Sequence, residues 1–552
     1  MSRHLALALA PALLLTACGD DNSVASGDSA SASGTGTTGV GGSSSSGEDP
    51  TLTGEVPTTS NGNSAGSSGA DSSSSSSGPP TVCEPGAKAE CSCDGAGQGT
   101  QACTADGLGF DPCECPDSVC GDAVLDAPEV CDDGTNDNSY GGCAADCSAL
   151  GPHCQDSITN GAEACDDGNA VDGDGCNVDC ILSGSELWTA YYPGDDAGNA
   201  RARGAAVDNE GNVIIVGEEF VVGQNANAWA RKYSPAGDIL WSWSWNGKSS
   251  GDDILYAVAV TPENDLVMVG ETYVAGNGAD MLFVKIGPDS KPVWQLTHSG
   301  GTAFGDRAFG VAVNPEGDIA VTGEEYKLIG LHNVWTSLLD PDGLEIWSDV
   351  YDANAGNDAG NAVAFTPTGD LVVAGNIYVP IGLADLWLRK YSAAGNELWT
   401  HTADHMKGND MWHAIAIDEV GDIALAGEVY EVEGLAAILT AKYNVAGFEL
   451  WSQINDSDGG DNDIGHGVAF DPAGNVVSVG EEYTANDFAR TWVRKHDPTG
   501  AELWTQIHDG VDAGNDIAWA VAIDPDTGSI YAAGEEYRVG QFADVWLTKY
   551  AP

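Results

Sequence analysis

A tryptophan preceded by an aliphatic residue recurs seven times in the carboxy-terminal two-thirds of this 552-residue chain. Short alternating apolar runs lie between the tryptophans, and in the second repeat they fall at residues 256–260, 265–270, 281–286 and 292–296. Four short strands in a period near fifty are typical of a propeller blade, because the coils of a β-helix are much shorter. The pattern predicts an all-β fold over residues 182–552, a seven-bladed β-propeller of four-stranded blades. The tryptophans, 52 or 53 residues apart, are Trp188, Trp241, Trp294, Trp347, Trp399, Trp451 and Trp504.

The two ends of this region predict how the ring closes. The first tryptophan strand, around Leu187, precedes every other strand of its repeat, whereas the chain stops at Pro552 where an eighth such strand would begin. We therefore expect the amino-terminal strand to complete the last blade, which leaves no exposed sheet edge. The Gly-Asn/Asp-Asp…Ala-Val-Ala-Val and Val-Gly-Glu…Tyr elements of the repeats resemble the seven-bladed β-propeller (SBBP) repeat family, and this resemblance implies the same fold.

The amino terminus has the features of an export signal. A short basic start with Arg3 and His4 precedes the apolar run Leu5–Leu15, which is too short to span a bilayer permanently. The residues before Cys18 resemble the lipobox of bacterial lipoproteins, which implies a signal peptide at residues 1–17 and a diacylglyceryl group on the Cys18 sulfur. The alternative is an ordinary signal peptide. Residues 18–80 are mostly Ser, Gly, Thr and acidic residues, a composition that predicts a disordered tether.

Besides Cys18, fourteen cysteines occur, all between Cys83 and Cys180. An even number in an exported chain predicts a disulfide framework formed in an oxidising compartment, and the absence of any Cys-x-x-Cys pair disfavours zinc. We divide this part into a cysteine-rich segment at residues 81–116 and two cysteine-rich repeats at residues 117–181. Their disulfide connectivity is left open.

The two cysteine-rich repeats both contain Cys-Asp-Asp-Gly, beginning at Cys131 and at Cys165. They resemble the myxobacterial cysteine-rich repeat, whose full pattern is present from Cys165 to Cys176. An oxygen-rich loop in this copy could bind calcium, since hard cations prefer such ligands. The alternative, which we favour, is a tight turn between two bridges. The candidate calcium ligands are Asp167, Asn169, Asp172 and Asp174.

The charge balance excludes some partners. The chain has 84 acidic and 20 basic residues, a formal net charge of −64. A nucleic-acid-binding protein needs a basic surface, so we expect no nucleic-acid partner.

Three positions recur in six of the seven blades, and we predict structural roles for all of them. An aspartate precedes the first strand and is expected to cap the loop there: Asp253, Asp306, Asp358, Asp410, Asp463 and Asp516. A glutamate ends the second strand: Glu218, Glu271, Glu324, Glu428, Glu481 and Glu535. A lysine lies in the third strand: Lys232, Lys285, Lys390, Lys442, Lys495 and Lys549.

The position of the recurring glutamates indicates that each has a partner of opposite charge. Glu218 shares a strand face with Ile214 and Val216, where a lone carboxylate would be costly. The blade without the lysine is next to the blade without the glutamate. We therefore hypothesise that the lysine of one blade pairs with the glutamate of the next.

One position of the first strand varies among the blades, with six residue types in seven copies, and forms the candidate ligand-binding ring. First strands line the channel of a propeller, so these side chains should lie near one mouth. Drift at strand ends is the alternative explanation. The residues are Arg203, Tyr256, Phe309, Asn361, His413, His466 and Trp519.

These features predict a lipid-anchored binding or scaffold protein of the bacterial cell envelope, at the outer membrane or cell surface. Its partners would be the bilayer, through Cys18, and an extracellular or periplasmic glycan, peptide or protein. No catalytic constellation is recognisable, and no cofactor is implied beyond calcium. One alternative is a polysaccharide lyase or hydrolase that uses Arg203, Tyr256, His413 and His466. Another is a structural surface coat.

Overall fold

The structure is a computed structural model that describes residues 82–552, apart from 93–97, 115–119, 124, 126–128, 195–198, 302–304, 328–330, 354–355, 380–382, 406–407, 431–434, 458–461, 484–487 and 541. The predicted signal peptide, Cys18 and the tether lie outside the described residues. Within them, no helix has the length and apolar character needed to cross a membrane.

Seven four-stranded antiparallel sheets follow one another along the chain, which confirms the predicted all-β propeller. The first strands of blades one to seven are β4 Ala200–Val207, β8 Asp253–Val260, β12 Arg307–Val313, β16 Ala359–Phe365, β20 Met411–Ile417, β24 Ile464–Phe470 and β28 Ile517–Ile523. The second strands are β5 Val213–Val221, β9 Leu266–Val274, β13 Ile319–Lys327, β17 Leu371–Tyr378, β21 Ile423–Tyr430, β25 Val476–Tyr483 and β29 Ile530–Arg538. Each blade's first strand pairs with its second.

The outer half of each blade consists of its third and fourth strands. The third strands are β6 Asn225–Tyr233, β10 Gly278–Ile286, β14 Leu331–Leu339, β18 Ala384–Tyr391, β22 Ala436–Tyr443, β26 Ala489–His496 and β30 Phe542–Tyr550. The fourth strands, in the same order, are β7 Ile239–Trp245, β11 Pro292–His298, β15 Glu345–Tyr351, β19 Glu397–Ala403, β23 Glu449–Asn455, β27 Glu502–His508 and β3 Glu186–Tyr192.

The ring closes as the sequence predicts. Strand β3 pairs antiparallel with β30, with Ala190 opposite Leu547 and Tyr192 opposite Val545. Blade seven therefore combines three strands from the carboxyl end with one strand that precedes blade one. The seven first strands lie side by side in a closed circle around the axis.

The hydrophobic core lies between neighbouring blades. Ile214 and Val216 of blade one pack with Leu255, Met268 and Leu282 of blade two in one buried cluster. Second and third strands are buried on both faces because each sheet has a neighbour on either side, whereas the fourth strands alternate between half-buried and exposed side chains. Removal of this apolar surface from water is the main stabilising contribution to the ring.

Among the described residues, the recurring tryptophan bonds to the following blade in five cases, whereas Trp504 Nε1 has no hydrogen-bond partner. Trp188 on the fourth strand of blade seven donates its Nε1 proton to the Pro235 carbonyl, 3.1 Å away in a turn of blade one. The same bond joins Trp241 to Pro288 at 3.2 Å. For these five tryptophans, a partner in the following blade explains why the residue stays at one position.

The cysteine-rich part contains a short hairpin, β1 Lys88–Ser92 and β2 Gln98–Ala102, and six described disulfides, which confirms the predicted framework. In each repeat the first cysteine pairs with the fourth and the second with the third. The bridges are Cys83–Cys103, Cys91–Cys113, Cys120–Cys147, Cys131–Cys143, Cys154–Cys180 and Cys165–Cys176. Stable disulfides indicate an oxidising compartment outside the cytoplasm.

Candidate functional site

The seven variable positions all lie at β-bulges. In blade one the pairing of β4 with β5 shifts between Ala202 and Gly204, so that Arg203 has no residue opposite it. The same shift occurs at the equivalent position of the other six first strands. A bulge redirects the side chain of its extra residue. We call these residues the mouth ring: Arg203, Tyr256, Phe309, Asn361, His413, His466 and Trp519.

A glycine in the second strand makes each bulge possible. A Cβ on Gly427 would overlap the carbonyl oxygen of Met411 on the first strand, and the other six blades repeat this close approach. Glycine inside a strand commonly marks such an approach of two backbones. The seven glycines are Gly217, Gly270, Gly323, Gly375, Gly427, Gly480 and Gly534.

Most members of the mouth ring contact their neighbours. The Arg203 guanidinium lies 5.2 Å from the ring centre of Trp519 and 5.7 Å from that of Tyr256. His466 lies 4.2 Å from Trp519 and 5.7 Å from His413, measured between ring centres. Together with the small residues that follow them in the first strands, the seven side chains line a central cavity of about 190 Å³.

The recurring glutamates lie directly beside the mouth ring. Glu218 accepts hydrogen bonds from Arg203 Nε at 2.6 Å and Nη2 at 2.8 Å. Glu271 accepts one from the Tyr256 hydroxyl at 3.0 Å, and Glu535 accepts one from Trp519 Nε1 at 3.3 Å. The glutamates at this end of the blades are therefore part of the candidate site rather than partners of the lysines.

Two arginines that the sequence reasoning missed complete one side of the mouth. Arg201 Nε lies 2.5 Å from Glu535, and Arg307 bridges Glu271 at 2.7 Å and Glu324 at 2.9 Å. They occupy equivalent positions in blades one and three, where the other blades have apolar residues. A position that is charged in only two of seven copies gives no repeat signal, which is why comparison of the repeats overlooked it.

Burial affects the pKa of three groups in the ring. It lowers the pKa of His466, so that this imidazole is neutral near pH 7 despite its contact with Glu481. It raises the pKa of Tyr256, which keeps that hydroxyl protonated. For Arg203, burial disfavours the charge, but the hydrogen bonds and negative charge of Glu218 outweigh it and raise the pKa.

A larger depression adjoins the mouth on the same face, between blades six, seven and one. It has a volume of about 580 Å³, and the Arg201–Glu535 ion pair forms part of its wall. Phe488, Asn515 and Tyr537 also line it. Aromatic and amide side chains around an ion pair would suit a polar ligand that extends outward from the channel.

The recurring aspartates join the loop before the first strand to the end of the second strand. Asp463 accepts backbone hydrogen bonds from Ser457 at 2.6 Å and from Tyr483 at 2.7 Å. The other five aspartates make the same pair of bonds. Burial raises the pKa of all six carboxyls, for Asp516 to about 6.

The predicted pairing of each lysine with the glutamate of the next blade is wrong. Lys495 lies 2.9 Å from Asp471 in the turn between the first and second strands of its own blade. Lys285, Lys390 and Lys442 pair in the same way with aspartates of their own blades at 3.1–3.3 Å, as does Lys232. The alternation of side chains identifies a strand face but not the height along the strand. In the ladder, Glu218 and Lys232 are four residues apart, about 13 Å.

The candidate calcium ligands of the second cysteine-rich repeat bond mainly within their own loop. Asp172 accepts a hydrogen bond from the Val178 backbone at 2.8 Å, and Asp167 accepts one from the Asn169 backbone at 3.2 Å. Asn169 Nδ2 donates to Asp174 at 3.2 Å. Such bonds are typical of the turn alternative. Calcium binding by these four residues stays a prediction.

Comparison with known proteins adds little to these observations. No protein-family model matches the chain, and no curated protein matches it, so the resemblances to the lipoprotein, cysteine-rich repeat and SBBP families remain expectations. Among solved structures, a chain of the complex of Drosophila Plexin A with Semaphorin 1b is 9% identical, with a TM-score of 0.39 over 67% of this chain and 87% of that one. A protein from Lactobacillus plantarum is 15% identical, with a TM-score of 0.36 over 57% and 86%. The propeller assignment therefore stands on the strand pairing itself.

Proposed function

We propose that this is an extracytoplasmic binding or scaffold protein that recognises a glycan, peptide or protein at the mouth ring. The observation that carries the proposal is the contrast within each bulge. The bulge and its glycine are repeated in all seven blades, whereas the side chain at the bulge is of six different types, with histidine in both blades five and six. A position whose backbone geometry is fixed by a repeated bulge, and whose side chain can vary, is suited to ligand recognition.

We further propose that the protein is located in the envelope of a bacterial cell, where acylated Cys18 anchors it in the bilayer. The six disulfides support an oxidising compartment. The lipobox-like residues before Cys18 support the anchor, which mass spectrometry of the mature amino terminus would test. An unmodified residue 18 would contradict it.

The binding function is tested on glycan and peptide arrays with the full chain and two variants. Trp519→Ala removes the largest side chain of the mouth ring. Phe448→Ala removes an exposed aromatic side chain from the turn between the third and fourth strands of blade five, so it is the matched control. We expect Trp519→Ala to lose the bound ligand and Phe448→Ala to keep it. Equal binding by both variants would contradict the proposal.

The same assay separates the alternative functions. Release of product from a polysaccharide would favour a lyase or hydrolase. A failure of every mouth-ring substitution to alter binding or any phenotype of the cell would favour a structural coat.

A further inference from the structure

The carboxylates around the mouth have different partners on its two sides. Each of the four glutamates in blades seven, one, two and three lies within 3 Å of an arginine nitrogen. Arg201, Arg203 and Arg307 supply these nitrogens. On this side the protein itself neutralises most of the negative charge.

Blades five and six have the same glutamates but no such cation. The positions equivalent to Arg201 and Arg307 are Met411 in blade five and Ile464 in blade six, which follows from the shared register with Glu428 and Glu481. The positions equivalent to Arg203 are His413 and His466. Among the described residues, this sector of the mouth therefore contains two carboxylates and no arginine or lysine within ion-pair distance of them.

Glu428 is the clearest case. Its side chain is only 6% exposed, and no described residue donates a hydrogen bond to it. The nearest basic nitrogen is His413 Nε2, at 3.6 Å, and this nitrogen is itself buried without a hydrogen-bond partner. The carboxylate and the imidazole nitrogen are just too far apart to bond each other, but a ligand group placed beside them could reach both at about 2.8 Å. A buried nitrogen without a hydrogen-bond partner is costly, and a ligand that bonds to it would remove that cost.

The His466 imidazole does not replace the missing positive charge. Burial lowers the pKa of His466, and the nearby groups that act on it are Glu481, His413 and Glu428. No arginine or lysine among the described residues therefore balances Glu428 and Glu481 in this sector. The rings of His466 and Trp519, 4.2 Å apart, form an aromatic wall beside it. Aromatic faces and carboxylates together are the usual environment of an organic cation.

We infer that the sector of the mouth formed by blades five and six binds a positively charged nitrogen group, a guanidinium or ammonium, carried by the ligand. This inference rests on the proposed binding function and specifies its ligand class. The ligand cation donates to Glu428 and Glu481 and so takes the place that arginines occupy on the other side of the ring. At about 30 Å³ per water molecule, the central cavity of about 190 Å³ holds roughly six waters, enough for one such head group.

Isothermal titration with matched pairs of probes tests the inference. The charged probes are an acetylated Gly-Arg-Gly amide and a glucosamine oligomer, and their neutral counterparts are the citrulline peptide and the N-acetylglucosamine oligomer. The wild-type full chain should bind at least one charged probe tenfold or more tightly than its neutral counterpart. A preference for the peptide or for the amino sugar identifies the source of the cation.

Glu428→Gln is the decisive variant, because it removes the charge and keeps the shape. It should lower the affinity for the charged probe at least tenfold, while the thermal midpoint stays the same or rises as a buried charge is relieved. Asp342→Asn, which makes the same charge change at an exposed turn, should bind like the wild type.

Two results would overturn the inference. One is that charged and neutral probes bind equally, or that neither charged probe binds at millimolar concentration. The other is that Glu428→Gln binds the charged probe as tightly as Asp342→Asn does. Loss of array binding in Trp519→Ala would uphold the binding function in either case, so failure of the ligand class is distinguishable from failure of the function.

Discussion

The two ends of the propeller channel use charged residues in opposite ways. At the end with the turns between first and second strands, which we call the turn face, lysines pair with aspartates of their own blades. At the mouth, the recurring glutamates have partners that change from blade to blade: arginine, tyrosine, histidine or tryptophan. An acidic residue recurs at both ends, glutamate at the mouth and aspartate at the turn face. Only at the turn face is its partner also a recurring residue, the lysine.

This difference separates structural roles from binding roles. A charge pair that recurs with the same geometry in five blades has a structural role in those blades, so its loss should cost stability. At the mouth ring, the backbone geometry is repeated but the side chain varies, so folding does not depend on a particular side chain there. A substitution in the mouth ring should therefore affect binding more than folding. Each of the following predictions compares the two ends in this respect.

The largest effect is expected from Lys495→Met at the turn face. Lys495 and Asp471 are almost fully buried, with side chains 1% and 6% exposed, so the variant leaves a buried carboxylate without its cation. We expect a loss of about 3–5 kcal/mol in the free energy of unfolding, measured with denaturant. The control, Lys291→Met, breaks an exposed pair with Asp289 and should cost at most about 1 kcal/mol. Equal losses in both variants would contradict a structural role for the turn-face pairs.

A somewhat smaller effect is expected from Gly427→Ala, which challenges the bulge itself. The new methyl group would overlap a backbone carbonyl, and a backbone atom moves less readily than a side chain. We expect a loss of about 1–3 kcal/mol, measured by thermal or denaturant unfolding. Gly109→Ala, with open space around its Cβ position, is the control and should be close to neutral. A neutral Gly427→Ala would show that the bulges do not depend on this glycine.

The mouth ring itself should tolerate substitution. His413→Asn places in blade five the residue that blade four has at this position, and we expect the free energy of unfolding to change by less than about 1 kcal/mol. Ligand binding should nevertheless weaken, because the side chain that faces Glu428 is shortened. A large loss of stability would show that the mouth ring is structural and would remove the contrast between the two ends.

The smallest effect is a pH dependence at Asp516. Burial raises the pKa of Asp516 to about 6, above its ordinary value of 3.8, so the folded protein binds a proton more readily than the unfolded chain between these values. This group's contribution to the free energy of unfolding therefore rises as the pH falls from about 6 toward 4. The wild type should gain stability relative to Asp516→Asn over that range in denaturant titrations. A constant difference between the two proteins would contradict the raised pKa.

The sequence predicted the parts of the fold that repeat. The tryptophan spacing was enough for the blade count, and the position of Trp188 relative to the chain end was enough for the ring closure, because both follow from period and strand order. The height of a residue along a strand does not follow from alternation, and the hypothesis that paired Lys232 with a glutamate failed for that reason. The bulges shift the pairing without disturbing the apolar pattern. Their one visible signal was the glycine before each glutamate or, in blade four, before Asn376.

Hydrogen–deuterium exchange on the full chain, with and without the ligand selected on the arrays, tests the account most directly. If the mouth ring binds the ligand, the amides at the mouth ends of the first strands, such as residues 411–414 and 464–467, should gain protection while the turn-face residues 471–475 stay unchanged. Protection confined to the turn face or to the outer strands would contradict the account.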